Sequence, residues 1–266
     1  MEELNSEILL ELLDAREFKK LKEKLENMHP VDIVEVMEEV GERQRVLMFR
    51  LLAKEEAAEV FTDMNSDMRE DLINALTDSE LEEVMEEMYV DDTVDVLEEM
   101  PANVVDRLLM VTDEETRAQI NQLLQYPEDS AGSIMTTEYV DLREEMTVGQ
   151  AMAHIKKTGI HKETIYTCYI TERRKLVGIV SAKDLMTTDD DVPIKDLMET
   201  EIISVYTHAD QEQVAQLFTK YDLLALPVID QDGRMVGIVT FDDAMDVMEE
   251  EATEDMEKMA AITPTD

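Results

Sequence analysis

The stretch VGIVSAKD, Val177–Asp184, decides how the second half of this chain is read, because it recurs 59 residues later as VGIVTFDD, Val236–Asp243. In both copies a β-branched run ends in Ser or Thr, and an Asp follows three positions on. Such a run is typical of a buried strand, and the Ser or Thr that follows is a common helix cap. The sequence therefore predicts a duplicated strand and helix.

Each copy extends to a strand, a helix, two hairpin strands and a closing helix. The first copy reads IMTTEYVDL (134–142), MTVGQAMAHIKKTG (146–159), TIYTCYIT (164–171) and KLVGIVSAKDLM (175–186). The second reads LMETEIISV (197–205), DQEQVAQLFTKYD (210–222), ALPVIDQDGRMVGIV (225–239) and TFDDAMDVM (240–248). Between its hairpin strands, Asp232-Gly233 predicts a two-residue turn.

A second repeat fills the chain from about residue 30 to 125, where apolar residues recur at helical spacing with almost no Gly or Pro. The period is about 24 residues. First helices are predicted from Pro30, Lys54, Asp78 and Pro101, and second helices from Gly41, Ser66, Val90 and Thr112. A short helical hairpin cannot bury its apolar face alone, so we expect the hairpins to stack. The two prolines suit first helical turns.

Length and charge limit the classes of function. The 266 residues suggest two or three domains, and 44% hydrophobic residues can build real cores. The net charge of −41 argues against nucleic acid and against anionic membrane surfaces, and favours cations or a basic partner. Cys168 is the single cysteine, in agreement with a reducing cytosol. No signal peptide and no apolar run of about 18 residues is present, so we expect the chain as given to be soluble.

Signals for catalysis are missing from the sequence. The four histidines lie far apart, and neither a zinc-ligand pattern nor a phosphate-binding or nucleophile motif occurs. Carboxylate pairs are too numerous for one pair to be chosen as acid and base. The sequence therefore predicts a protein that is not an enzyme.

The segment 242–255, DDAMDVMEEEATED, has eight carboxylates and no Lys or Arg. On a helix, each pair of like charges three or four positions apart costs about 0.2–0.5 kcal/mol. An acidic run can also simply form the solvent-exposed face of a helix, and we expect this of Glu82–Glu83 and Glu86–Glu87. Within 242–255 the missing counter-charge favours cation binding instead. No EF-hand loop is present, and scattered carboxylates suit Mg²⁺, which keeps most of its water and takes one or two carboxylates.

The duplicated unit with its G-I-V-[ST]-x-x-D ending resembles a tandem pair of CBS domains. The order of a helical repeat, YPEDSAGSIMT (126–136), the CBS pair and an acidic helix resembles the cytosolic half of MgtE-type magnesium channels over essentially all 266 residues. The resemblance implies α plus α/β architecture: a superhelical N domain (1–130), CBS domain 1 (131–197), CBS domain 2 (198–248) and a connecting plug helix (249–266). It also implies a homodimer through the CBS pairs, at the cytoplasmic face of the membrane, with a transmembrane pore domain in the same polypeptide.

In MgtE-type channels, Mg²⁺ ions between the helical domain, the CBS pair and the plug helix hold the pore shut. The positions that match the family's ligands are all carboxylates here: Glu59, Asp91, Asp95, Glu212, Asp222, Asp243, Asp246, Glu251, Glu254 and Asp255. Composition alone does not distinguish Glu59 from Glu55 or Glu56. That choice rests on the resemblance.

CBS pairs also bind adenine nucleotides such as ATP, and by that resemblance Ser181 and Asp184 are the candidate contacts in this chain. The first CBS copy of the family often has a second aromatic residue in its central strand, whereas Thr167 follows Tyr166 here. Ser181 and Thr240 are equally candidates for helix caps. Two alternatives to a magnesium sensor stay open: a nucleotide-sensing CBS module that regulates another partner, and a plain helical scaffold.

Overall fold

A computed structural model of the chain describes residues 2–259, apart from the side chains of residues 2–7, 254, 255, 257 and 259. The chain divides into two compact units, Met1–Ile120 and Asn121–Asp266. The domain boundaries expected from the sequence, at residues 130, 197 and 248, stay predictions. Every helix within residues 2–259 is too short or too polar to cross a bilayer.

The first part of the chain is helical, as the repeat predicts. Its helices are α1 (Glu2–Asp14), α2 (Phe18–Leu25), α3 (Pro30–Glu38), α4 (Glu42–Phe49), α5 (Lys54–Thr62), α6 (Ser66–Ala75), α7 (Asp78–Met85), α8 (Val90–Glu99), α9 (Ala102–Val111) and α10 (Glu114–Leu123). All eight helices of the repeat, α3 to α10, begin within two residues of the predicted positions. Pro30 is the first residue of α3, whereas Pro101 precedes α9 as its N-cap.

Packing in the first unit follows the repeat. The first helix of each hairpin packs on the first helix of the next, in the order α3, α5, α7 and α9, and α4 packs on α6. Phe49 and Phe61 meet edge to face with ring centroids 6.3 Å apart. Met37, Met48 and Met64 are fully buried, as expected for methionines that fill irregular gaps in a core.

Two arginines, 24 residues apart, bind the C-terminal ends of first helices. Arg45 donates to the carbonyl groups of Met37 and Val40 near the end of α3, at 3.2 and 3.5 Å. Arg69 does the same at the end of α5, where it donates to the Phe61 carbonyl at 3.2 Å and to the next carbonyl. The last carbonyls of a helix have no partner within the helix, so these guanidinium groups satisfy them and offset the helix dipole. The sequence analysis did not predict this role.

The second unit contains two similar halves. The first has β1 (Asp141–Leu142), α11 (Val148–Thr158), a 3₁₀ turn (Gly159–His161), β2 (Thr167–Glu172), β3 (Lys175–Ser181), α12 (Ala182–Thr187) and the short α13 (Ile194–Leu197). The second has β4 (Val205–Tyr206), α14 (Gln211–Tyr221), β5 (Ala225–Ile229), β6 (Met235–Thr240) and α15 (Phe241–Met259). Each half forms a three-stranded sheet whose short first strand is parallel to the second, and whose second and third strands are antiparallel.

The first strands are shorter than the sequence suggests, because part of each predicted strand pairs with the other half. Thr136 exchanges two backbone hydrogen bonds with Ile238 of β6, at 2.8 and 2.9 Å, and Glu199 exchanges two with Ile179 of β3, both at 2.9 Å. The neighbouring glycines allow this approach. A Cβ at Gly237 would lie 2.6 Å from the Thr136 carbonyl oxygen, and one at Gly178 would lie 2.5 Å from the Met198 sulfur. The two halves therefore exchange segments.

The two hairpins differ from the prediction. Asp230 pairs with Arg234, so Gln231–Gly233 forms a three-residue loop with Gly233 at φ 75°. The predicted two-residue turn at Asp232-Gly233 is therefore wrong, although the glycine has the expected left-handed backbone. A two-residue loop occurs instead in the first half, where Arg173 and Arg174 have φ 51° and 69° between the paired Glu172 and Lys175.

Candidate metal-binding and nucleotide-binding sites

Asp184 and Asp243 occupy equivalent positions in the first turns of α12 and α15. Ser181 donates its hydroxyl to Asp184 Oδ2 at 2.5 Å and accepts from the Asp184 amide at 3.0 Å. Thr240 donates its hydroxyl and its amide to Asp243 Oδ2 at 2.5 and 3.1 Å. Both pairs stabilise the start of a helix, since they satisfy groups that have no partner within the helix. The capping role expected of Ser181 is confirmed, and both Asp side chains belong to it.

Burial and neighbouring charge act together on Asp243. The pKa of Asp243 is raised to about 6: burial is the largest cause, the hydrogen bonds from Thr240 oppose it, and the carboxylates of Asp242 and Asp246 add to it. Both of those bonds go to Oδ2, so Oδ1 faces its surroundings without a hydrogen bond from the described residues. This carboxylate is therefore poorly compensated when it is ionised.

Asp246 belongs to an acidic face on α15. Burial raises the pKa of Asp246, and the charges of Asp242 and Glu249 add to the rise. The three residues lie at positions i, i+4 and i+7, which is one face of a helix. Asp242 and Glu249 were not among the predicted ligands, although their spacing from Asp246 was visible in the sequence.

The plug-helix residues continue the same helix. Glu251 is half-buried in α15, which runs without a break from Phe241 to Met259. The side chains of Glu254 and Asp255 lie outside the described residues, as does the end of the predicted plug segment from residue 260. The first basic residue of α15 is Lys258.

Glu212 and Asp222 lie at opposite ends of α14. Glu212 is in its first turn, where it accepts from Gln216 Nε2 at 3.0 Å, and Asp222 is the C-cap with φ 51°. Ten residues of α-helix span about 15 Å. The two carboxylates therefore cannot bind one ion directly at the same time. The predicted Mg²⁺ ligands on α14 are therefore spread along the helix instead of forming one cluster.

The predicted ligands of the first unit lie on two helices that pack together, α5 and α8. Glu59 is exposed on α5, and on α8 Asp91 is buried whereas Asp95, one turn later, is exposed. Burial raises the pKa of Asp63, and the charge of Glu59 one turn earlier adds to the rise. Asp63 is thus a second carboxylate beside Glu59 that sequence reasoning missed. The i, i+4 spacing was the available signal.

The candidate nucleotide contacts lie at the end of β3. The Ala182 amide, next to Ser181, donates to the Tyr166 carbonyl at 2.9 Å, which brings the loop before β2 against the start of α12. The Tyr166 ring is 67% exposed. Thr167, the next residue, begins β2 and is half-buried. One exposed aromatic ring therefore lies near the capping pair, where a purine could stack.

Comparison with known proteins agrees with this architecture. The model of the MgtE intracellular N domain matches residues 28–129, and the CBS domain model matches residues 131–190 and 194–250. The protein "Magnesium transporter MgtE" of Thermus thermophilus is 38% identical over 100% of this chain and 60% of its own length. The protein of the same name in Bacillus subtilis is 32% identical over 98% of this chain and 58% of its own length. The chain thus spans about 60% of these relatives.

A solved structure gives the same result in three dimensions. It is described as "Crystal structure of the cytosolic domain of the Mg2+ channel MgtE in complex with ATP", with 36% identity and a TM-score of 0.86 over 91% of this chain and 99% of that one. The helical repeat, the interleaved CBS pair and the matching relatives all point to the same family. The chain belongs to the MgtE family, and it contains the intracellular N domain and the CBS pair of that family.

Proposed function

We propose that this chain is the Mg²⁺-sensing regulatory region of a magnesium channel, at the cytoplasmic face of the membrane, and that it regulates rather than catalyses. Mg²⁺ bound by the acidic faces favours a compact arrangement of the helical domain and the CBS pair, and this state favours closure of the pore. When Mg²⁺ is scarce, repulsion between carboxylates favours separation. The observation that carries the proposal is the uncompensated charge of α15.

That charge affects the proton affinity of two carboxylates on the helix. Asp243 and Asp246 both have raised pKa values, and in both cases neighbouring carboxylates contribute after burial. No Lys or Arg occurs between Phe241 and Glu257. A divalent cation beside these carboxylates favours their ionised forms and offsets both their mutual repulsion and the cost of their burial. Hard oxygen ligands on a helical surface suit Mg²⁺ with most of its water retained.

The proposed ligand set is the one expected from the family: Glu59, Asp91, Asp95, Glu212, Asp222, Asp243, Asp246, Glu251, Glu254 and Asp255. Since Glu212 and Asp222 are about 15 Å apart along α14, the set divides among several ions. Each weak site adds about 1.4 kcal/mol to the bound state at nine times its dissociation constant. Several sites that favour one state make the response steep in Mg²⁺ concentration.

Limited proteolysis and small-angle X-ray scattering across millimolar Mg²⁺ test this proposal. We expect a smaller radius of gyration and slower cleavage as Mg²⁺ rises, and a weaker response from the Asp243→Asn, Asp246→Asn double variant. The matched control is Glu86→Gln, Glu87→Gln, which removes the same formal charge from an exposed position. If Mg²⁺ changes neither the radius of gyration nor the rate of cleavage, the proposal is excluded. It is also excluded if the control variant loses as much of the response as the α15 variant.

A nucleotide-sensing role is the second candidate, because the solved relative in complex with ATP covers 91% of this chain. We propose that Ser181 and Asp184 hold the ribose and that Tyr166 stacks on the base. Thr167 offers no second ring. Calorimetry with ATP, AMP and Mg²⁺ on one sample separates the candidates: binding of nucleotide without binding of Mg²⁺ favours the nucleotide sensor, and Asp184→Asn then abolishes the heat of nucleotide binding.

We also propose a homodimer through the CBS pairs, and a transmembrane pore domain as partner in the same polypeptide. Two exposed apolar pairs support the dimer, and each pair is related by the 59-residue repeat. Ile165 corresponds to Leu224, and Met186 corresponds to Met245; all four are 39–73% exposed. Repeated apolar exposure on both halves is typical of an interface. Sedimentation equilibrium of the wild type and of Met186→Glu, Met245→Glu measures it, and a monomeric wild type contradicts it.

A further inference from the structure

A cavity of about 380 Å³ opens on the first unit between α1, α2 and α4. Its apolar side consists of Leu13, Phe18 and Leu47. Its other lining residues are polar or charged: Arg16, Arg43, Asp14 and Gln44. The cavity lies within the size range of pockets that bind small molecules, about 300–1,000 Å³.

Within the described part of the chain, the two arginines of this cavity form no ion pair with a carboxylate. Neither Arg16 nor Arg43 forms an ion pair or side-chain hydrogen bond with the described residues, in a chain with 65 Asp and Glu. One carboxylate, that of Asp14, also lines the cavity. Asp14 accepts from Gln44 Nε2 at 3.3 Å, and Glu17 pairs with Lys20. The cavity therefore presents two arginines and one carboxylate beside apolar side chains, with an excess of positive charge.

Arg16 also has a backbone conformation that favours glycine. Its φ is 56°, and its amide donates to the Leu13 carbonyl at 3.1 Å while the Glu17 amide donates to the Leu12 carbonyl at 2.9 Å. These bonds form the Schellman motif at the end of α1, in which the left-handed residue is usually Gly. An Arg here is strained. The fold alone gives no reason for a guanidinium at this position.

We propose that this cavity binds a small organic anion, with its anionic group held by Arg16 and Arg43 and its apolar body against Phe18, Leu13 and Leu47. Guanidinium groups match the geometry of carboxylate and phosphate oxygens and are weakly hydrated, so they suit such a site. An aromatic or aliphatic body fits the apolar wall, whereas an inorganic anion leaves it unfilled. None of the residues that line this cavity is among those proposed to bind Mg²⁺ or nucleotide.

Phenyl phosphate is the probe, with inorganic phosphate and phenol as its two fragments. We expect calorimetry to show saturable binding of phenyl phosphate, at least tenfold tighter than either fragment. We expect Arg43→Ala to weaken it at least tenfold, since the variant loses a charged hydrogen-bond donor to the anionic group. Arg143→Ala is the matched control, because Arg143 is exposed and has no ion pair among the described residues.

Arg16→Gly separates binding from folding. Glycine relieves the left-handed strain, so we expect a melting temperature at or above the wild-type value together with at least tenfold weaker binding of phenyl phosphate. Undiminished binding to Arg16→Gly, or no saturable binding to the wild type up to about 10 mM, overturns the proposal. Binding that is lost in Asp184→Asn and kept in Arg16→Gly assigns the anion to the second unit, which overturns it as well.

Discussion

Replacing Asp243 by Asn changes the pH dependence of stability in a direction that the structure determines. The folded chain holds the pKa of Asp243 at about 6, above its ordinary value of 3.8. A group whose pKa is raised on folding stabilises the fold below its unfolded pKa, and this contribution is lost as pH rises through the folded pKa. The ionised Asp243 therefore destabilises the second unit above about pH 6.

The magnitude follows from the same values. A change from 3.8 to about 6 corresponds to about 3 kcal/mol, at about 1.4 kcal/mol for each tenfold change in the acid constant. Because Asp243 is only half-buried, water reduces the effect. Asn keeps an oxygen that accepts from Thr240. We therefore expect Asp243→Asn to gain about 1–2 kcal/mol in the free energy of unfolding at pH 8, and almost nothing at pH 4.

Urea denaturation in EDTA, from pH 4 to pH 8, measures this difference. The advantage of the variant should grow between about pH 4 and pH 6 and stay constant above that range. Added Mg²⁺ should reduce it, because Mg²⁺ stabilises the wild type at the carboxylate that the variant lacks. Glu86→Gln serves as the control for loss of one exposed charge. A variant as stable as the wild type at every pH, or less stable at pH 8, refutes the reasoning.

Three further predictions concern residues outside the proposed metal site. Arg69→Ala should destabilise the first unit by about 3 kcal/mol in urea denaturation, because it leaves two carbonyl groups at the end of α5 without their charged donor; a loss below 1 kcal/mol contradicts the capping role. Gly237→Ala should destabilise the second unit more than Gly178→Ala, since its Cβ meets a backbone oxygen rather than a flexible sulfur; equal melting temperatures contradict it. Replacing Arg173–Arg174 by Asn-Gly should stabilise by about 1–2 kcal/mol, as both residues have left-handed backbone; an unchanged melting temperature contradicts it.

The sequence predicts the elements of this fold well because their signals are local. Apolar spacing gives eight helices of the first unit, and the 59-residue repeat gives the two halves of the second. Segment exchange was not predictable in the same way. Thr136 and Ile238, which pair, are about 100 residues apart, and nothing in either segment specifies which sheet it joins. Gly178 and Gly237 were the available signs of close approach.

The candidate sites, too, could be predicted only in part from the sequence. Composition predicted that α15 binds cations, but it did not separate Asp243, which caps the helix, from Asp242, Asp246 and Glu249, which form a face. Which of these carboxylates act together depends on their burial and on the direction of their side chains, and a count of charges gives neither. For the same reason Asp63 was missed, although Glu59 one turn away was chosen through the family resemblance.

The duplication places the same capping arrangement in two different charge environments. Asp184 and Asp243 share one capping arrangement, so the frame of both sites is the same. Their surroundings differ: Lys183 corresponds to Asp242, and Thr187 corresponds to Asp246. The first half thus surrounds its capping pair with a cation and a hydroxyl, which suits a nucleotide phosphate, whereas the second surrounds it with carboxylates, which suit Mg²⁺. Exchanging Lys183 and Asp242 should weaken nucleotide binding and Mg²⁺ binding together, while both caps, and with them the fold, are retained.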